Sequence, residues 1–302
     1  MKAIVIRAYG GPEVLKCEDL ADPVPGRGEV LVKTAATSVN PIDIKLRSGV
    51  MKEFMPITFP RVLGFDVAGV VSAIGPGVAR FKPGDRVFAQ VSLTYASLCV
   101  VKEQDLANIP DGLDMEAAAA LPTVTLTGSQ LAALALSESP KGTVLVAGAV
   151  GRVGRSAVFA AKEKGATVFA GVLSRHKAAA EKIGADFVVA LDDEEAVRSL
   201  QPLDAVADTV NGKTAELLIA KVKPGGLLAS VLGAPANAAA HPKVAVKAMQ
   251  VVQDVKMLVH MAEAVRDGKL AIPVGGKFPL SSANQAHAQA EQGRGGKMVL
   301  LA

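Results

Sequence analysis

A chain of 302 residues, half of them hydrophobic and 21% charged, carries more apolar material than one small core needs and points to two domains. The net charge of +4 comes from 33 Lys and Arg scattered among 29 acids, and aromatic residues make up only 4% with no Trp, which argues against a nucleic-acid binder. Two separated cysteines, Cys17 and Cys99, exclude a disulfide framework. No apolar run reaches the ~18 residues of a membrane span and residues 1–7 are too short for a secretory leader core, so the expectation is a cytoplasmic protein with no membrane partner.

From residue 1 to about 115 the chain reads as β-rich. Strand-like runs at 3–7, 29–34, 67–74 and 85–91 are separated by Pro23-Val-Pro-Gly26, Gly75-Pro-Gly77 and Lys82-Pro-Gly-Asp85, a spacing that suggests a barrel or sandwich-like domain. An Ala-rich helix is expected at 115–121, with Pro122 near its end, and another at 127–137. Beyond them strands at 143–147, 167–172, 186–190, 204–208 and 226–232 alternate with helical stretches at 153–164, 177–183, 193–199 and 213–222. Such alternation predicts βαβ units and a doubly wound parallel sheet. A further strand at 243–252, helices at 254–267 and 282–291, and a last strand at 297–301 complete the chain, the final strand closing onto the first domain. The predicted division is 1–115 with 273–302 against 116–272.

The strand at 143–147 runs into Gly148-x-x-Gly151-x-x-Gly154 and then a helix. Strand, glycine turn and helix in that order make a dinucleotide site: the glycines let the backbone approach a pyrophosphate, and free amides at the helix N-terminus face its charge. Gly148, Ala149, Val150, Gly151, Arg152, Val153 and Gly154 are therefore candidate cofactor residues, although the same spacing also serves as a packing turn in α/β proteins. An NAD-preferring site usually carries an acid near the end of the next strand. Here Gly171 is followed by Ser174, Arg175 and Lys177, a hydroxyl and two cations suited to a 2′-phosphate, so NADP(H) is the expected cofactor; the alternative is an ordinary basic solvated loop.

Gly64-Phe-Asp-Val-Ala-Gly-Val-Val71, Lys82-Pro-Gly-Asp-Arg-Val87 and Leu126-Thr127 ahead of the glycine turn together resemble the medium-chain dehydrogenase/reductase superfamily. Ser38-Val-Asn-Pro-Ile-Asp-Ile-Lys45 and Arg47-Ser-Gly49 are similar to its zinc-free, zeta-crystallin-like quinone oxidoreductase branch. The resemblance covers essentially the whole chain. It implies a GroES-like β-rich domain joined to a Rossmann-type α/β domain, a homodimer, and Thr127 at the nicotinamide end of NADPH. It also implies a metal-free site, because the zinc branch has Cys and His near the positions of Asn40 and Phe65. None of the four histidines, His176, His241, His260 and His287, is within ligand spacing of a cysteine, and each is expected as a solvated or helix-surface residue.

The resemblance further places Asn40, Asp43 and Lys45 as candidate catalytic residues at the mouth of the site, with Lys45 either polarising a carbonyl or standing as a surface lysine. The implied activity is hydride transfer from NADPH to a small electrophile, a quinone or a conjugated enal or enone. Relatives that use a tyrosine as proton donor place it where Lys45 and Met51 stand here, which leaves solvent water as the plainer source. The alternatives are an enoyl-thioester reductase and a low-turnover NADPH-binding structural or regulatory protein.

Overall fold

The computed structural model describes every residue except Arg294. Two compact units emerge, one formed by Met1–Thr123 with Gln253–Ala302 and the other by Val124–Val252. The first stretch of the β-rich unit contains β1 (Lys2–Ile6), β2 (Lys16–Asp19), β3 (Glu29–Ser38), α1 (Pro41–Ser48), β4 (Arg61–Val62), β5 (Asp66–Ile74), β6 (Arg86–Gln90), β7 (Leu98–Lys102), β8 (Ala107–Asn108) and α2 (Met115–Ala120). Helix α3 (Pro122–Ala135) follows, and then β9 (Thr143–Ala147), α4 (Arg152–Glu163), β10 (Thr167–Val172), α5 (Lys177–Ala180), β11 (Phe187–Ala190), α6 (Glu194–Arg198), β12 (Leu203–Asp208), α7 (Gly212–Ile219), β13 (Val222–Ser230) and β14 (Ala245–Ala248). The chain ends with α8 (Val255–Arg266), β15 (Val274–Pro279), α9 (Ala283–Glu291) and β16 (Lys297–Leu301).

In the β-rich unit the main sheet runs β15-β16-β3-β5-β6-β8, with β7 also paired to β3, and a smaller sheet runs β2-β1-β4. Val30, Val32, Thr34 and Ala36 alternate inward along β3, the period-2 pattern of a strand with one covered face. Val30 and Val32 join Val67, Val71, Val87 and Ala89 in one core. The last strand does return: β16 pairs antiparallel with β3, Val299 opposite Ser38.

The second unit holds six parallel strands in the order β11-β10-β9-β12-β13-β14. Numbered from β9, this is the 3-2-1-4-5-6 order of a doubly wound dinucleotide-binding sheet, whose direction of winding reverses between β9 and β12. Val144, Leu145 and Val146 are fully buried, so the continuous apolar run is what a central strand covered on both faces requires.

Two expectations shift. The sequence places 253–272 with the second domain, whereas the compact units divide at Thr123 and Gln253, so α8 belongs to the β-rich unit. The strand expected at 243–252 extends only over Ala245–Ala248 and lies at the sheet edge.

Candidate active site

Within the β-rich unit, the polar residues singled out from the sequence sit where β3 passes into α1. Asn40 is the N-cap residue, with extended φ −115° and ψ 156°, Pro41 opens the helix, and Gly49 closes it at φ +79°. Asp43, three residues in, reaches back so that its Oδ2 accepts the Asn40 amide at 2.8 Å, one half of a capping box. Its Oδ1 accepts the amide of Gly64 at 3.0 Å. Gly64 has φ +98°, and a Cβ there would collide with Thr94 Oγ1 and Tyr95 Cδ1, so the close approach that delivers this amide requires glycine.

The side chain of Asn40 is turned toward Asp66. Its Nδ2 donates to Asp66 Oδ2 at 2.8 Å, and its Oδ1 accepts from Lys297 Nζ, which also lies 3.3 Å from Asp66 Oδ2. Ser38 Oγ donates to the same carboxylate oxygen at 2.5 Å, while Thr123 contributes its amide at 2.8 Å and its hydroxyl at 2.6 Å to Oδ1. Asn40, Asp43, Asp66 and Lys297 are all buried. Burial, reinforced by the neighbouring Asp66, pushes the Asp43 carboxyl up to about 7 against the two amides that favour its charge.

Further buried contacts join α1 to α9. The Arg47 guanidinium donates from Nε to the Gly10 carbonyl at 3.2 Å, from Nη1 to His287 Nδ1 at 3.3 Å and from Nη2 to Glu291. Because arginine has nothing to accept with, Nδ1 of His287 is the acceptor and Nε2 carries the proton toward Tyr95 Oη at 3.1 Å. Burial and the Arg47 charge hold the His287 imidazole down to about 3, so it stays neutral. Burial and the Asp43 carboxyl push the Tyr95 phenol well above its usual value.

These positions correct the reading of two residue sets. Asn40 and Asp43 are enclosed and hydrogen-bonded instead of lying at an open mouth; of the three candidates only Lys45 is partly exposed. His287 is fully buried instead of solvated. Asp66 and Lys297, which make the cluster, were missed as site residues, though Asp66 stands inside the Gly64-Phe-Asp motif. A lysine within the apolar strand Lys297–Leu301 was the available signal, since an inward-facing lysine needs a buried acid. Among the described residues no three His, Cys, Asp or Glu side chains gather as a metal site.

In the second unit the glycine turn has the predicted form. Gly148 takes φ +75°, and the amides of Gly148 and Ala149 are bound by the Gly171 carbonyl at 2.9 and 3.2 Å. Gly151 is the N-cap of α4 with no side-chain cap hydrogen bond, and no carboxylate lies in the first turn. A Cβ on Gly151 would meet nothing nearer than the Gly148 carbonyl at 3.1 Å, which leaves the backbone open to a ligand. A Cβ on Gly154 would strike that same carbonyl, so this glycine serves close helix-to-strand packing. Val150, Arg152 and Val153 complete the turn, and Thr127 lies buried on α3. Gly171 is a packing glycine: a Cβ there would crowd Leu145 and Leu191 at 2.9 Å. Ser174, Arg175 and Lys177 are exposed just past β10.

A 3-2-1-4-5-6 sheet with a glycine turn after its first strand, in a chain that also builds a β-rich unit from both of its ends, defines a dehydrogenase/reductase of the alcohol-dehydrogenase class. Comparisons agree. Residues 26–131 match the alcohol dehydrogenase GroES-like domain and residues 183–300 the zinc-binding dehydrogenase domain. The chloroplast envelope quinone oxidoreductase homolog of Arabidopsis thaliana is 32% identical over 323 residues, covering 99% of this chain and 98% of the relative. Among solved structures, Escherichia coli quinone oxidoreductase complexed with NADPH superposes with TM-score 0.85 at 27% identity, and an NAD-dependent alcohol dehydrogenase with TM-score 0.86 at 31% identity, each over 100% of both chains. The chain belongs to the medium-chain dehydrogenase/reductase superfamily, in its quinone oxidoreductase branch.

Proposed function

We propose that this oxidoreductase is a zinc-independent, NADPH-dependent reductase of quinones or of conjugated enals and enones. The observation that carries the reading is the turn from β9 into α4, whose open backbone at Gly151 and uncapped helix N-terminus suit a dinucleotide pyrophosphate. Gly148 through Gly154 would hold the pyrophosphate, Thr127 would contact the nicotinamide end, and Ser174, Arg175 and Lys177 would meet the adenosine ribose and its 2′-phosphate. The bound nicotinamide supplies a hydride. The chain's own part is to position the acceptor and stabilise the charge that builds on its oxygen, a role suited to the partly exposed Lys45. Asn40 and Asp43 act by fixing α1, since both are buried and already hydrogen-bonded.

The test is NADPH and NADH consumption with benzoquinones, acrolein-type enals and crotonyl thioesters, before and after dialysis against a strong chelator. Turnover of quinones or enals with NADPH, unchanged by chelation, is expected. Activity lost on chelation and restored by zinc would refute the metal-free mechanism, and turnover confined to the thioester would replace the substrate class.

A further inference from the structure

The basic loop past β10 does not stand alone. Strands β10 and β11 are parallel, with Val172 opposite Ala190. That register carries both chains out of the sheet in step, so residues two further on, Ser174 and Asp192, meet. The Ser174 amide donates to Asp192 Oδ1 at 2.7 Å and the Ser174 hydroxyl to the same oxygen at 2.8 Å. Both donors that Ser174 could offer a 2′-phosphate are thus held by a carboxylate. The Arg175 side chain lies within the field of Asp192, its Nε directed to His176 at 3.3 Å.

From this juxtaposition we infer that Asp192 sets the coenzyme preference of the site: it occupies Ser174, its charge opposes a 2′-phosphate, and a carboxylate there suits a ribose hydroxyl in its place. The inference rests on the dinucleotide reading above. Arg175 and Lys177 favour NADPH and Asp192 counters them, so the unmodified protein prefers NADPH by less than its two cations alone would give. The acid that NAD-preferring sites supply from the end of the second strand arrives here from the end of the third, which is why a search past β10 finds none. The two amide and hydroxyl bonds keep the carboxylate ionised throughout the neutral range. Both side chains are exposed, so the effect is tempered by solvent and salt.

Calorimetric titration of the intact protein with NADPH, NADH, adenosine 2′,5′-bisphosphate and AMP tests this directly, without reference to turnover. Asp192→Asn keeps an acceptor for Ser174 but removes the charge; it should tighten NADPH and adenosine 2′,5′-bisphosphate by about 3- to 30-fold, the size of one or two partly screened charge contacts, and leave NADH and AMP unchanged or weaker. Glu195→Gln makes the same charge change in the same acidic run without touching Ser174, and should move the NADPH-to-NADH ratio far less. Equal changes for all four ligands, no change, or an equal shift from Glu195→Gln would overturn the role of Asp192 while leaving the dinucleotide reading intact. Failure of the unmodified protein to bind either coenzyme would sink both.

Discussion

Asp66 is the residue on which the β-rich unit's polar interior converges. It accepts hydrogen bonds from Ser38, Asn40 and Thr123 and pairs with Lys297, a buried ion pair closed across 231 positions of sequence. Removing one partner of such a pair leaves a buried charge unmatched and costs about 3–5 kcal/mol. The two losses are not equivalent here. Lys297→Met leaves the carboxylate with its neutral donors, whereas Asp66→Leu takes from the buried ammonium the carboxylate it pairs with. Urea unfolding should therefore find Asp66→Leu the more damaging, and the double variant less destabilised than the sum of the two. Additive losses would show that the pair is not coupled. At Lys45 the expected effect is kinetic instead: Lys45→Met should lower kcat by roughly 10- to 1000-fold with coenzyme affinity nearly unchanged, because only contacts stronger in the transition state accelerate the step. Unchanged steady-state rates with quinones and enals would reduce Lys45 to a surface lysine. Sequence exposes this kind of residue unevenly. Asp43 and Asn40 are visible through a local i, i+3 relation, but the environment that buries them comes from Asp66 and Lys297, whose spacing along the chain carries no signal.

At the scale of elements, α1 is held at its N-terminus by its cap residues and further along by α9. The α9 contact is a neutral imidazole between a guanidinium and a phenol, and it has a pH signature. His287 is held down to about 3 in the fold against 6.5 when unfolded. Between those values the unfolded chain binds the extra proton, so the stability His287 contributes is full above about 6.5 and is lost as pH falls toward 3. His287→Gln retains a polar side chain but no titration. Its urea midpoint should lie below that of the parent protein at pH 7.5, and the gap should narrow at pH 5; a gap independent of pH would show that the imidazole is not buried neutral. The α/β elements were readable because each strand is a continuous apolar run bounded by turn residues, and the glycine turn comes with its strand and helix. Helix α1 is weakly marked in the sequence, since Pro41 suits a turn as readily as the Asn40-Pro-x-Asp43 helix start it proves to be. The placement of α8 in the β-rich unit is not written in its own periodicity, because an amphipathic helix states that it has a buried face and not which core covers it.

For the molecule as a whole, the β-rich unit is discontinuous, with β16 supplying the partner for β3 from the far end of the chain. The six-stranded sheet, by contrast, is made from one continuous stretch and ends at β14, a strand of four residues, three of them exposed. β14 receives bonds from β13 on one side only, so its outer edge presents amides and carbonyls with no strand beside them in the sheet order. Such an edge pairs readily with a second copy of itself, and a two-fold axis would join two sheets through it antiparallel, satisfying both edges at once. Its Ala-Val-Lys-Ala sequence carries a single charge, Lys247, which lies 3.6 Å from Glu138, so little on this strand repels a twin. A homodimer is expected, with sedimentation velocity at micromolar protein giving twice the chain mass. Ala245→Lys with Ala248→Lys would set like charges on both sides of that axis and should shift the protein to monomer, while dinucleotide binding, assigned to the turns that follow β9 and β10, is retained. A monomer in the unmodified protein would overturn the edge-pairing assignment, and a dimer that survives the two lysines would move the interface away from β14.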